Sequence, residues 1–409
     1  MWPAATPKLP DSEKKCLPKP VSEKHVWDQG GHSLLTKAAH TVAGSARKPR
    51  VTISDLAESL GVTKGTVSRA LNGYSDISER TRKRVVRAAE AQGYIPMAHA
   101  QAIRTGRVRS IGLVLQISEH DAHGPFLTEF LAGLTTTASA EIWTLAVATA
   151  NSDAHTVETI GRLVSERKAD GFILPRTLTD DPRVSFLREE GVPFVLYGRT
   201  GDPTGCAWFD ILGEDAMQAA VARLVGQGHR RIGFVNGGQE YNFCGIRQVG
   251  YERGLAAAGI ALDPALIRTN SRLSADGASA TLSLMRMPEP PTAIVFATDE
   301  AALGAYRAAD SLGLRIGRDL SIIAYDGIPE GAYAQPALTT FSDDTRAAGA
   351  RLAALLIRRI RGADPDSLRE FAHARLIARG SDGPPVLSST ALAQTIAAHS
   401  GQTSKGGHA

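Results

Sequence analysis

Seven short runs, apolar almost throughout, recur along most of this chain: Ile111–Leu115, Trp143–Ala148, Gly171–Leu174, Pro193–Tyr197, Arg231–Val235, Ala293–Ala297 and Leu320–Tyr325. A strand whose two faces are both apolar has to be covered on both, which means a parallel sheet wrapped by helices. Amphipathic stretches separate the runs at Phe126–Ala140, Asp153–Arg167, Asp215–Gln227, Gly245–Ala258 and Glu300–Leu312. About ten such strand-and-helix units predict an α/β body of two doubly wound parallel sheets with a cleft between them. Ligands of such sheets bind at the carboxyl ends of the strands, so the cleft is the expected site.

The stretch Thr52–Asn72, TISDLAESLGVTKGTVSRALN, has a different period. Ile53, Leu56, Ala57 and Leu60 form the i, i+3, i+4, i+7 stripe of a helix with one buried face. Thr52 and Asp55 have capping-box spacing, and Gly61 suits the left-handed position that ends a helix. Thr63 caps a second helix, Val62 staples onto Val67, and Val67, Ala70 and Leu71 turn inward. That leaves Lys64, Gly65, Thr66, Ser68 and Arg69 outward. Two short helices of this kind make either a helical hairpin or a helix-turn-helix whose second helix reads the major groove.

Charge favours the second reading. A third helix is predicted from Ser78 to Gln92, with Val85, Val86 and Ala89 inward and Arg80, Arg82, Lys83, Arg84 and Arg87 on its other faces. Residues 47–109 hold 13 Lys and Arg against 5 Asp and Glu, whereas residues 110–409 hold 27 against 33. A basic head on a mildly acidic body is the distribution that phosphate neutralisation requires.

The segments VTKGTVSRALNG, SERTRKRVVRAAEAQGYIP and RTGRVRSIGLVLQ resemble the N-terminal signature of the LacI/GalR family of bacterial transcriptional repressors, and the likeness runs in register to about Gly380. It implies a three-helix DNA-binding head, a hinge helix and a two-lobed body similar to periplasmic sugar-binding proteins. The expected boundaries are an extension at 1–50, a head at 51–95, a hinge at 96–109, an effector-binding and dimerisation body at 110–380, and a flexible tail at 381–409. In the head, the resemblance places Lys64, Gly65, Thr66 and Arg69 at base edges and Arg82 at phosphate, with Thr52, Thr63, Ser68 and Asn72 completing the DNA-binding set. In the hinge, Ile103 matches the apolar residue that the family inserts into the minor groove, and Ala98 and Ala100 lie against the partner hinge. Ile103 stands in place of the usual Leu, and Met97 where Asn is common.

In the body, Arg247 matches the family arginine that grips effector hydroxyls or carboxylates. Asp299 and Asp326 each end a strand, where a carboxylate either accepts from a sugar or fixes a cap or turn. Phe126 is either a stacking face for a sugar or core. Trp208 and Asp210 fall near the expected cleft, although a common Asp-Asn pair is replaced here by Leu212 and Gly213. The expected function is a dimeric repressor that binds a palindromic operator and is controlled by a small molecule, with a sugar as the leading effector. A purine-type corepressor and a sugar-binding module without DNA function are the alternatives.

Other classes find little support. The chain has no dinucleotide or Walker phosphate loop, no GxSxG nucleophile elbow and no HExxH spacing among its eleven histidines, so neither an enzyme nor a cofactor or metal is expected. His229, in GQGHRRIGF, reads as part of a structural turn. Three scattered cysteines, the lack of a signal-like N-terminus and the lack of an apolar run near eighteen residues point to a cytoplasmic protein. The first 50 residues, rich in Pro, Lys, Ser and Ala, read as a mobile arm.

Overall fold

The computed structural model describes residues 51–94, 106–116 and 124–405. The chain divides into two compact units, one ending at Ile95 and the other beginning at Pro96. The extension 1–50 and the hinge residues Met97, Ala98, Ala100 and Ile103 lie outside the described residues.

The first unit is three helices: α1 (Ile53–Leu60), α2 (Lys64–Leu71) and α3 (Glu79–Gln92). Each begins at a hydroxyl cap. Thr52 and Asp55 form the reciprocal box, with Thr52 N–H donating to Asp55 Oδ2 at 2.8 Å and Asp55 N–H to Thr52 Oγ1 at 3.3 Å. Thr63 and Ser78 accept from the backbone of Thr66 and Thr81. Gly61 ends α1 at φ +61°, where a side chain would be strained. Leu56, Val67 and Val85 meet at the centre, ringed by Ala57, Ala70 and Ala89. Val86, expected inward, is exposed because it lies one position beyond the buried face.

The second unit has two lobes. The first lobe is a six-stranded sheet in the order β11-β5-β4-β3-β1-β2, made of β1 (Ser110–Gln116), β2 (Thr144–Ala150), β3 (Gly171–Leu174), β4 (Phe194–Tyr197), β5 (Ala207–Ile211) and β11 (Arg369–Ala372). Every pairing in it is parallel. Helices α4 (Gly124–Ala140) and α12 (Thr345–Ile360) cover one face, and α5 (Asp153–Ser165) and α6 (Pro182–Glu189) the other. Gly133 lets α4 close on α12, since a methyl group there would lie 2.0 Å from the Arg346 carbonyl oxygen.

The second lobe repeats the plan in the order β12-β10-β9-β8-β6-β7, with β6 (Ile232–Val235), β7 (Ile267–Arg268), β8 (Ala293–Phe296), β9 (Ser321–Tyr325), β10 (Thr339–Ser342) and β12 (Arg375–Ile377). Only the β10–β12 pair is antiparallel. Its layers include α7 (Gly213–Gly226) and α8 (Asn242–Ala257) on one face, and α9 (Ser274–Met285) and α10 (Asp299–Ser311) on the other. Short α11 (Glu330–Tyr333) lies between β9 and β10. The chain passes between lobes three times, at residues 211–213, 342–345 and 372–375. Each sheet therefore has a core on both faces, as the all-apolar strand runs require.

The C-terminal stretch corrects the expected boundary at 380. Ser381 is buried, and its hydroxyl donates to the Ile322 carbonyl at 2.7 Å while accepting from Thr339 N–H at 2.8 Å. Asp382 accepts from Arg223, Gln227 and Thr339. His229 is buried against Thr292, Ser321 and the Gly383 carbonyl, a structural role as expected. Helix α13 (Ser389–Lys405) then sinks Leu392 and Ile396 into the second lobe. Two apolar residues at i and i+4 are a weak signal in sequence but fill a real hollow in the fold.

Candidate functional site

On the head, α2 leaves Lys64, Gly65 and Arg69 exposed and Thr66 and Ser68 partly exposed, all away from the core face of Val67 and Ala70. These five predicted residues thus share one surface. Thr52, Thr63 and Asn72 serve the helices themselves: the first two cap, and Asn72 donates to the Ser68 carbonyl at 2.7 Å. Arg82, the candidate phosphate contact, also has an internal role. Its guanidinium donates to the Tyr74 carbonyl at 2.9 Å and to Glu79 at 3.3 Å, tying the α2–α3 connection to α3. Arg69 pairs with Asp76 and lies 5.3 Å from the Tyr74 ring centre.

In the body, the carboxyl ends of the central strands gather one polar cluster. Arg247 projects from α8 and is buried. Its Nη1 donates to the Ala297 carbonyl at the end of β8, and its Nη2 stands 3.5 Å from Asp326 Oδ1. The guanidinium stacks 3.8 Å from the Tyr325 ring centre and 4.7 Å from that of Phe243, while Nε is buried without a protein partner. Gly213 is part of this arrangement, since a methyl group there would lie 3.2 Å from Arg247 Cγ. Glycine at 213 therefore leaves space that the arginine uses.

Asp326 directly follows β9 at φ +126°, with its side chain partly exposed. Desolvation pushes its carboxyl up, with Arg247 pulling it back. Across the cleft, Tyr197 at the end of β4 donates to Asp343 Oδ2 at 2.9 Å. Burial raises the Asp343 carboxyl too, against that hydrogen bond. The mouth is spanned by backbone: Thr179 N–H donates to the Glu240 carbonyl at 2.9 Å and Asn242 N–H to the Thr177 carbonyl at 3.1 Å, a two-residue antiparallel bridge between loops of the two lobes.

Three predicted effector contacts are corrected. Asp299 is fully buried; its oxygens accept from Thr340 Oγ1 at 2.5 Å and Ile328 N–H at 2.9 Å, so it fixes the turn after Asp326 rather than facing a ligand. Trp208 belongs to the core of the first lobe beneath α5 and α6, with Arg369 over its ring at 4.3 Å. Strand alternation carries it away from the cleft. Asp210 is buried in a pair with Arg199, 2.5 Å away, and Arg199 also reaches Glu214 of α7 at 2.9 Å. This joins the lobes at the first crossing. Phe126 lies in the first turn of α4, and its side chain is outside the described residues.

Tyr197, Tyr325, Phe243 and Asp343 were not among the predicted site residues. The two tyrosines are the last residues of predicted strand runs, so the strand-end rule pointed at them. Asp343 had no such flag, because the Thr-rich β10 that positions it does not read as an apolar run. Among the described residues no cluster of potential metal ligands occurs, and no helix is long and apolar enough to cross a membrane.

A three-helix DNA-binding-type head followed by a two-lobed periplasmic-binding-protein-like body defines a class of ligand-responsive DNA-binding regulator. Comparison with known proteins agrees on both parts. Residues 52–97 match the family described as bacterial regulatory proteins, lacI family, and residues 221–381 match a periplasmic binding protein-like domain. The HTH-type transcriptional regulator AglR of Rhizobium meliloti is 36% identical over 343 residues, which cover 82% of this chain and 95% of that protein. A transcriptional regulator CelR–cellobiose complex superposes with TM-score 0.63 at 30% identity, covering 81% of this chain and all of that one. The lac repressor dimer bound to operator and the anti-inducer ONPF gives 0.67 at 25% identity, covering 82% and 99%. The chain belongs to the LacI family of bacterial transcriptional regulators, and it is not an enzyme.

Proposed function

We propose that the protein is a repressor that binds a near-palindromic operator as a homodimer and is released by a neutral sugar held in the interlobe cleft. The observation that carries this reading is the composition of the cleft: one forked donor, Arg247, stacked on Tyr325 and Phe243, facing the carboxylates of Asp326 and Asp343. A sugar offers hydroxyls that both donate and accept, and an apolar ring face for the aromatic groups. An anionic ligand would have to approach the carboxylates of Asp326 and Asp343. The cellobiose complex of CelR, a relative of similar fold, supports the same ligand class.

The operator end rests on α2, whose exposed polar face fits the major groove, and on the lac repressor dimer bound to operator. The exposed edge strand β2, with Val147 about half exposed, is a suitable surface for a second copy. Sugar relieves repression if it binds the form of the body that does not hold DNA more tightly. The test is a gel shift on palindromic duplexes, with and without glucosides and nucleobases. Release by a glucoside supports the reading. Tightening by a nucleobase would replace it with corepression, and an absence of any DNA binding would leave a sugar-binding module.

A further inference from the structure

An acidic side chain beside a DNA-reading surface opposes binding, because it repels phosphates that the neighbouring cations attract. Asp76 sits in such a place. It lies in the α2–α3 connection, and its carboxylate pairs with Nη2 of Arg69, the basic residue in the last turn of α2. Both side chains are about half exposed, at 48% and 51%. An exposed pair contributes little to stability, so holding the fold together does not explain it. The connection that carries Asp76 is well anchored. Tyr74 N–H donates to the Arg69 carbonyl at 3.1 Å, Arg82 donates to the Tyr74 carbonyl at 2.9 Å, and Ile77 packs on the head core. The Tyr74 ring also flanks the guanidinium of Arg69.

We propose that Asp76 is a specificity-determining residue for DNA: it restrains Arg69 so that the guanidinium meets a base edge rather than any nearby phosphate. The inference rests on the reading of α2 as the recognition helix. An unrestrained arginine reaches phosphates of every sequence. One with a nitrogen held by a carboxylate and a face covered by a ring keeps a single free edge, which matches the paired O6 and N7 acceptors of guanine. Apart from Asp76, Arg69 has no polar partner among the described residues to restrain it. The same carboxylate repels the backbone, so it weakens non-specific binding more than specific binding.

The test uses the full chain. The preferred operator is selected from a randomised palindrome library, and the guanine whose preference disappears in R69A is identified. Gel shifts then compare the selected duplex with one carrying another base pair at that position. D76N keeps the shape of the side chain and removes its charge. We expect the discrimination ratio to fall roughly tenfold, with tighter binding to unrelated DNA, and D76E to restore part of the ratio. If R69A abolishes a base preference while D76N leaves the ratio within about a factor of two, Asp76 does not set specificity and the recognition helix stands. If R69A changes no base preference, both the role of Arg69 and this inference fail.

Discussion

The guanidinium of Arg247 lies 3.8 Å from the centre of the Tyr325 ring, so the last residue of β9 forms the floor on which an arginine from helix α8 is held. Tyr325 keeps the charge in place without using any of its N–H groups, which is what a ligand-gripping arginine needs. The Ala297 carbonyl and Asp326 then set its orientation within the plane of that ring.

We predict that Arg247→Lys abolishes the sugar response while leaving operator binding intact. Lysine keeps the charge but loses the planar fork and the stacking. In a thermal-shift assay of the whole protein, a glucoside at about one hundred times its dissociation constant stabilises the wild-type body by about 2.7 kcal/mol. The variant should show no shift, and an undiminished shift would remove Arg247 from the site.

Arg69→Ala should cost about 1–3 kcal/mol on the selected operator and far less on random duplex. An equal loss on both would make Arg69 a phosphate contact.

Leu56 is wholly buried at the centre of the small head. Replacing it with Ala removes apolar contacts and leaves a cavity, at a cost of about 2–5 kcal/mol. Operator binding should disappear while the melting of the body and its sugar response persist, since the two are separate compact units. Loss of the sugar response as well would show that the units do not fold independently.

Burial raises the Asp299 carboxyl to about 6, opposed by hydrogen bonds from Thr340 and Ile328. The sign follows from protons bound: the folded body holds a proton that the unfolded chain releases near its ordinary carboxylate range. This group therefore stabilises the fold at low pH and loses that contribution as pH rises toward 6, an effect of about 3 kcal/mol at most. Asp299→Asn cannot titrate, so its stability deficit relative to wild type should shrink between pH 4.5 and pH 7 in urea unfolding. A deficit independent of pH would mean that the folded protein holds Asp299 at an ordinary carboxylate value.

Leu392 is completely buried in the second lobe. Leu392→Ala should destabilise the body by about 2–4 kcal/mol, measured by chemical denaturation. A neutral result would return residues 389–405 to the status of an appended tail.

The residue pattern alone determined the elements that are decided locally. Caps at Thr52, Thr63 and Ser78 act within one helical turn, and strands such as Gly171–Leu174 and Ala293–Phe296 show their double-sided burial as unbroken apolar runs. Family resemblance added the class of protein and picked out Arg247. What one residue faces across two lobes depends on strand order and on alternation within mixed strands, and neither is written in local periodicity. Trp208 turns into the core of the first lobe, Asp210 pairs with Arg199 at the lobe crossing, and Asp299 accepts from a turn 29 positions away in sequence. Conversely, Tyr197 and Asp343 are 146 positions apart, and only the second lobe crossing brings the hydroxyl to the carboxylate. Segments governed by near neighbours declare themselves in sequence, whereas a site assembled from strand ends exists only once the sheets have formed.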